Sequence, residues 1–199
     1  MGLKLEPKEG DTLLSPEELD ELIPKHITNR QQLDEVEQNN IEDAFQWLLS
    51  RKVDTIEQLI SPEFQDELHK KMLGKVWKWA GKIRSREANI GVNPLKIEIL
   101  RKQLIDDLMF WYENKTFDPI EIAIRFHHRL VQIHCYPNGN GRHTRIMADL
   151  ILEKIFNSAP IKWKGNDFIN INEFRTKYIA ALKEADEGNY ESLLECVEK

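Results

Sequence analysis

Apolar residues recur at three- and four-residue spacing over most of this chain. That is the period of helices with one buried face. Leu33, Val36, Ile41, Ala44, Phe45 and Leu48 form one such stripe and predict a helix over about 30–49. Ser61-Pro62-Glu63 predicts a helix start, a hydroxyl cap followed by proline in the first turn, with Phe64, Leu68, Met72 and Val76 facing inward. Pro94 opens a long helix to about Asn114 on Leu100, Leu104, Leu108 and Trp111. Asp118-Pro119 opens the next, to about His134, with Ile120, Ala123, Ile124, Leu130, Val131 and Ile133 buried. Ile146, Met147, Leu150, Ile151 and Ile155 then predict a helix that is apolar on most sides, as at the centre of a bundle. Two more helices are predicted at about 171–186 and 189–197, with Gly188 as the break between them.

Two stretches break the pattern. Residues 1–29 are rich in Pro, Glu and Lys with little periodicity, and read as an irregular N-terminal arm. Residues 80–93 hold no sustained helical spacing, and a short hairpin is predicted there. The fold class is therefore mostly α, a helical bundle with a small β-hairpin, over one domain at 30–199.

Composition narrows the function classes only a little. The chain has 199 residues, enough for one domain with a real core, and a net charge of −6. That balance gives no chain-wide electrostatic case for nucleic acid or acidic membranes. Two cysteines, Cys135 and Cys196, make neither a disulfide framework nor a metal spacing. No apolar run approaches membrane-spanning length. The first residues lack a signal-peptide core, and the last four lack the aliphatic positions of a prenylation signal. A soluble, cytoplasmic protein is expected.

The chemistry concentrates in His134-Cys135-Tyr136-Pro137-Asn138-Gly139-Asn140-Gly141-Arg142-His143-Thr144-Arg145. Glycines let backbone N–H groups approach an anion at a helix start. Arg142 and Arg145, three apart, share a helix face. A histidine just before them can take a proton near neutral pH. Base, anion cradle and cationic clamp are what transfer of a phosphate-containing group needs. The plainer readings are that His134 satisfies its own loop and that the arginines meet carboxylates, Asp149 lying four residues after Arg145, the spacing of an exposed surface ion pair. His127, on an apolar stripe, reads as packing, and His143 as solvent-facing.

This segment resembles the signature of Fic/Doc proteins, His-Pro-Phe-x-(Asp/Glu)-Gly-Asn-Gly-Arg-x-x-Arg. Trp77-Lys78-Trp79-Ala80-Gly81 with Ile83-Arg84 is similar to the family's Tyr-x-Trp-Ala-Gly-x-x-Arg segment, which leads into a hairpin flap, here about 83–93. The resemblance covers about residues 30–190, and the layout is most similar to the subgroup called mobile mystery protein B. It implies a Fic-type bundle and transfer of AMP from ATP to a Ser, Thr or Tyr hydroxyl of a target protein. His134 would be the general base. Gly139, Asn140 and Gly141 would form the anion-binding turn, and Arg142 and Arg145 would hold the β/γ end and the leaving pyrophosphate. Doc-type relatives, which move a γ-phosphate, typically carry Lys where Gly141 stands, so Gly141 favours AMP.

The resemblance has three departures. Cys135 stands for Pro and Tyr136 for Phe, both packing changes. Asn138 stands for the acid that should hold Mg²⁺ or Mn²⁺, and an amide is a weaker ligand for a hard cation. Many members are restrained by a glutamate on an inhibitory helix; the nearest match is Leu33-Asp34-Glu35-Val36-Glu37-Gln38. Glu37 either pairs with Arg145 as that restraint or is a solvated surface residue. The resemblance further implies a protein substrate on the 83–93 flap by strand addition. It also implies a bacterial, toxin–antitoxin-like setting with a small helix-turn-helix partner. Doc-type phosphotransfer and a catalytically weak nucleotide-binding module are the alternative functions.

Overall fold

The structure is a computed structural model that describes residues 11–53, 55–163 and 171–197. It is dominated by helices: α1 Pro16–Asp20, α2 Arg30–Ser50, α3 Ile56–Ile60, α4 Pro62–Leu73, α5 Ile97–Asn114, α6 Pro119–Ile133, α7 Asn140–Leu150, α8 Ile171–Asp186 and α9 Glu191–Glu195. A 3₁₀ turn, Pro94–Lys96, leads into α5, and a π-helical turn, Ile151–Ile155, follows α7. The periodicity located α2 and α4–α9 within a few residues. The local chemistry is as read: Ser61 Oγ accepts from the Phe64 N–H at 3.1 Å, with Pro62 in the first turn. Gly188, at φ +94°, ends α8 in the left-handed region.

Two expectations need correction. Residues 83–93 form no hairpin; among the described residues the only β pairings are isolated bridges, Leu22 with Trp77 and Trp163 with Val197. A side chain takes the place of the ladder. Arg84 donates from Nη1 to the Arg86 carbonyl at 3.0 Å and from Nη2 to the Val92 carbonyl, closing the loop through one guanidinium. The arm at 1–29 is also less irregular than expected. Residues 1–10 lie outside the described residues, but Ser15 and Glu18 make a reciprocal capping box that starts α1. Beyond it, Ile23 N–H donates to the Val76 carbonyl at 2.8 Å.

Contacts group the chain into two compact units: residues 1–98 with 134–143, and residues 99–133 with 144–199. The first is built on α2 against α4. Leu33, Ile41 and Ala44 of α2 are buried, as are Phe64, Leu68, Met72 and Leu73 of α4. Asn40 lies on the buried stripe because it closes the C-terminus of α4. It donates to the Lys71 carbonyl at 2.8 Å and accepts from the Lys75 N–H at 2.9 Å, satisfying groups a helix end leaves open. The second unit has its own core, in which Ile124, Trp163, Tyr178, Ala181, Ala185 and Leu193 pack together. No described helix is long and apolar enough to cross a membrane.

Candidate active site

α6 stops at Ile133, and His134 follows at φ +58°. A non-glycine residue there is strained by about 1–2 kcal/mol and persists only where its surroundings over-determine it. Arg84 supplies the constraint. Its Nε donates to the His134 carbonyl at 2.6 Å, and its backbone N–H donates to the Cys135 carbonyl at 2.9 Å. Burial pulls the Arg84 pKa down, yet the fork of N–H groups faces three carbonyls and stays useful as a charged donor. The strained turn leaves the buried His134 ring with Nε2 at 2.7 Å from the Thr12 hydroxyl.

After that turn the chain reverses toward α7. Tyr136 is buried, and its hydroxyl, the group phenylalanine would lack, donates to Asp66 at 2.8 Å. Asn140 fixes the loop by a reciprocal pair with the Tyr136 backbone, accepting from its N–H at 2.9 Å and donating to its carbonyl at 2.8 Å. The Asn140 side chain is thus committed to structure, and only its backbone faces an anion role. The two glycines differ in their reasons. Gly139 has φ +79°, and a Cβ there would lie 2.5 Å from Leu73 Cδ1. A Cβ on Gly141 would meet nothing within 4 Å, so the first turn of α7 is open where a helix dipole favours negative charge.

Asn138, the expected metal position, has its amide oxygen taken by the Gly139 N–H at 2.6 Å, and its amide nitrogen donates to the Thr12 carbonyl at 3.3 Å. Among the described residues no three acidic, His or Cys side chains are grouped to hold an ion. An engaged neutral amide does not fit a protein-held Mg²⁺ or Mn²⁺.

Glu37 is buried, which removes the surface reading. One carboxylate oxygen accepts from Trp77 Nε1 at 2.6 Å, and the other meets Arg142 Nη1 at 2.7 Å. The pairing anticipated with Arg145 is made instead with the earlier arginine of the signature. Burial favours this arrangement, because a carboxylate in the core needs both charge and hydrogen bonds to offset its lost hydration. Arg145 belongs to the second unit, where its guanidinium lies 4.6 Å from the Tyr178 ring centre and 5.2 Å from that of Trp163. Asp149 is not the exposed carboxylate its spacing suggested. It accepts from the Ile161 N–H at 3.0 Å, and burial raises its pKa to about 6.

The site has supports that the apolar pattern concealed. His69 is fully buried on α4 and bridges two backbone segments. Its Nδ1 accepts from the Gly81 N–H at 2.9 Å, so Nε2 carries the proton that it donates to the Asn138 carbonyl at 2.9 Å. Its ring stacks on Tyr136 at 3.8 Å. Burial holds its pKa well below the ordinary imidazole value, with His143 and Arg142 adding to the effect. His143, expected in solvent, is buried and donates to the Gln65 carbonyl at 3.0 Å. A polar residue on a buried stripe, one turn from Gln65 and Met72, was the available signal for His69. Thr12, in the arm, gave none.

The first unit therefore brings together His134, the 138–142 turn, Arg142 and Glu37. Known proteins are similar to this chain in sequence and in fold. The Fic/DOC family description matches residues 59–152. Protein adenylyltransferase fic-1 of Caenorhabditis elegans is 31% identical over 138 residues, 67% of this chain and 25% of that protein. A probable protein adenylyltransferase of Aquifex aeolicus is 38% identical over 87 residues, 43% of this chain and 24% of that protein. The chain thus spans about a quarter of the length of these curated relatives. Among solved structures, a Fic-1 fragment from C. elegans superposes with a TM-score of 0.58 at 26% identity, covering 79% of this chain and 45% of that one. The BepC protein of Bartonella tribocorum, solved with AMPPNP bound, gives 0.66 at 17% identity over 92% of this chain and 99% of that one. Sequence, fold and signature loop agree that residues 59–152 of this chain are a Fic/DOC family domain.

Proposed function

We propose that this chain is a protein adenylyltransferase, moving AMP from ATP to a Ser, Thr or Tyr hydroxyl on a protein. The observation that carries this reading is the His134 Nε2 poised 2.7 Å from a hydroxyl, one tight loop from the open first turn of α7. His134 would take the hydroxyl proton as the oxygen attacks the α-phosphorus of ATP. The bond from the α-phosphorus to the bridging oxygen breaks, and pyrophosphate leaves. The α7 N-terminus and Arg142 would neutralise phosphate charge. Names of the curated relatives support the same chemistry. The expected target is a protein segment docked along loop 83–93.

Glu37 is proposed as the restraint on this site. While its carboxylate holds Arg142, the guanidinium is not available to a triphosphate, and the fixed negative charge repels one. Removing it in Glu37→Gly frees the cation.

The test is incubation of Glu37→Gly with a cell lysate and ATP labelled at either the α- or the γ-phosphate. Label in protein from α-labelled ATP, lost in Glu37→Gly with His134→Ala, is the result expected. His134→Ala should cost roughly 10²–10⁴-fold in rate. Label from γ-labelled ATP alone would replace AMP transfer by the Doc-type reaction.

A further inference from the structure

We propose that Thr12 is a self-modification site: its hydroxyl accepts AMP within the same molecule, on the His134 base. The inference rests on the adenylyl-transfer reading, and goes beyond it by naming the acceptor. The Thr12 hydroxyl already occupies the acceptor position, 2.7 Å from Nε2. In the tautomer with Nδ1 protonated, it donates directly to that nitrogen.

The neighbouring backbone is held on both sides, which fixes the register to one residue. Asn89 donates to the Asp11 carbonyl at 3.0 Å and accepts from the Leu13 N–H at 2.9 Å, so one amide grips the chain on either side of Thr12. Arg86 donates to the Leu13 carbonyl at 2.6 Å and is itself paired with Glu18. Asn138, in the signature loop, donates to the Thr12 carbonyl, and Arg30 pairs with Asp11 at 2.9 Å. Asn89 and Arg86 stand on loop 83–93, the segment expected to receive a target by main-chain hydrogen bonds. Residues 11–13 are held there as a target would be, with a hydroxyl side chain at the base.

The reaction balances without a further reagent. The Thr12 proton passes to His134 Nε2, the Oγ1–phosphorus bond forms, and the bond to the bridging oxygen breaks. Pyrophosphate carries away the electron pair, and His134 returns its proton to water. Because acceptor and base share one chain, the rate should not depend on protein concentration.

The test uses the full chain and Glu37→Gly with ATP, followed by peptide mapping at several dilutions. The expected result is an AMP-sized addition on Thr12, with a first-order rate constant unchanged by dilution. Thr12→Ser should keep the addition, Thr12→Val should lose it while the chain remains folded, and Asn89→Ala should slow it several-fold. AMP on lysate proteins with Thr12 bare would overturn the inference and leave the adenylyl-transfer reading standing. So would a Thr12 label whose rate constant falls on dilution. No AMP on any protein would overturn both.

Discussion

Glu37 is a carboxylate with both oxygens engaged, by Trp77 and by Arg142, and its replacements can be ranked from that. Glu37→Gln keeps an acceptor for the indole N–H and removes the charge. Glu37→Gly removes both, strands a buried N–H at a cost of about 1–3 kcal/mol, and places glycine inside α2 at roughly 1 kcal/mol more. Thermal melts should therefore order the unaltered chain above Glu37→Gln and that above Glu37→Gly. AMP transfer should rise in the opposite order. The two glycines separate in the same way. Gly139→Ala forces a Cβ to 2.5 Å from Leu73 at φ +79° and should lower the melting midpoint. The left-handed backbone alone costs about 1–2 kcal/mol. Gly141→Ala sits in a helix with open space around the new methyl group. It should melt like the unaltered chain but bind ATP more weakly, a contrast that calorimetry can read.

Among the elements, the loop at 83–93 shows where sequence periodicity stops being informative. Helices declare themselves because one face repeats every three to four residues, and the caps at Ser61, Pro62 and Gly188 were readable from local chemistry alone. The loop is ordered by a single arginine reaching His134, Arg86 and Val92 carbonyls. Pattern cannot show such a convergence, because its partners lie up to fifty residues apart. The same holds for Glu37: its residue type and helix position were legible, but which arginine it meets depends on how α2 packs. Arg84→Lys tests the loop. An ammonium keeps the charge but lacks the planar fork, so carbonyl contacts are lost. Faster proteolysis within 85–92 and slower AMP transfer are expected together, since the same side chain holds the His134 turn. Retained protease resistance would show that the guanidinium is not what closes the loop.

Both units of the whole molecule bury neutral imidazoles, which sets its response to acid. His127 accompanies Tyr178 at 2.7 Å in the second unit, and burial lowers its pKa from 6.5 to about 3. His69 is depressed in the first. Below about pH 6.5 the unfolded chain takes protons that these folded sites refuse, so stability falls as pH drops. Asp149 has the opposite sign. Its folded pKa is raised from 3.8 to about 6, so the fold holds that proton more tightly and loses stability as pH rises through that window. The melting midpoint should fall from pH 7.5 to pH 5, and Asp149→Asn should raise it more at pH 7.5 than at pH 5. His127 was read from sequence as packing, and its burial agrees. His143 and Asp149 were read as exposed because a charge or ring on a helix gives no sign of which neighbour covers it.

AMP transfer on His134 is the claim on which the rest depends. The most direct measurement is intact-protein mass of Glu37→Gly, with and without His134→Ala, after incubation with ATP and lysate proteins. AMP-sized additions in the first variant that vanish in the second are the expected result. Additions that survive loss of His134, or phosphate-sized additions in their place, would contradict it.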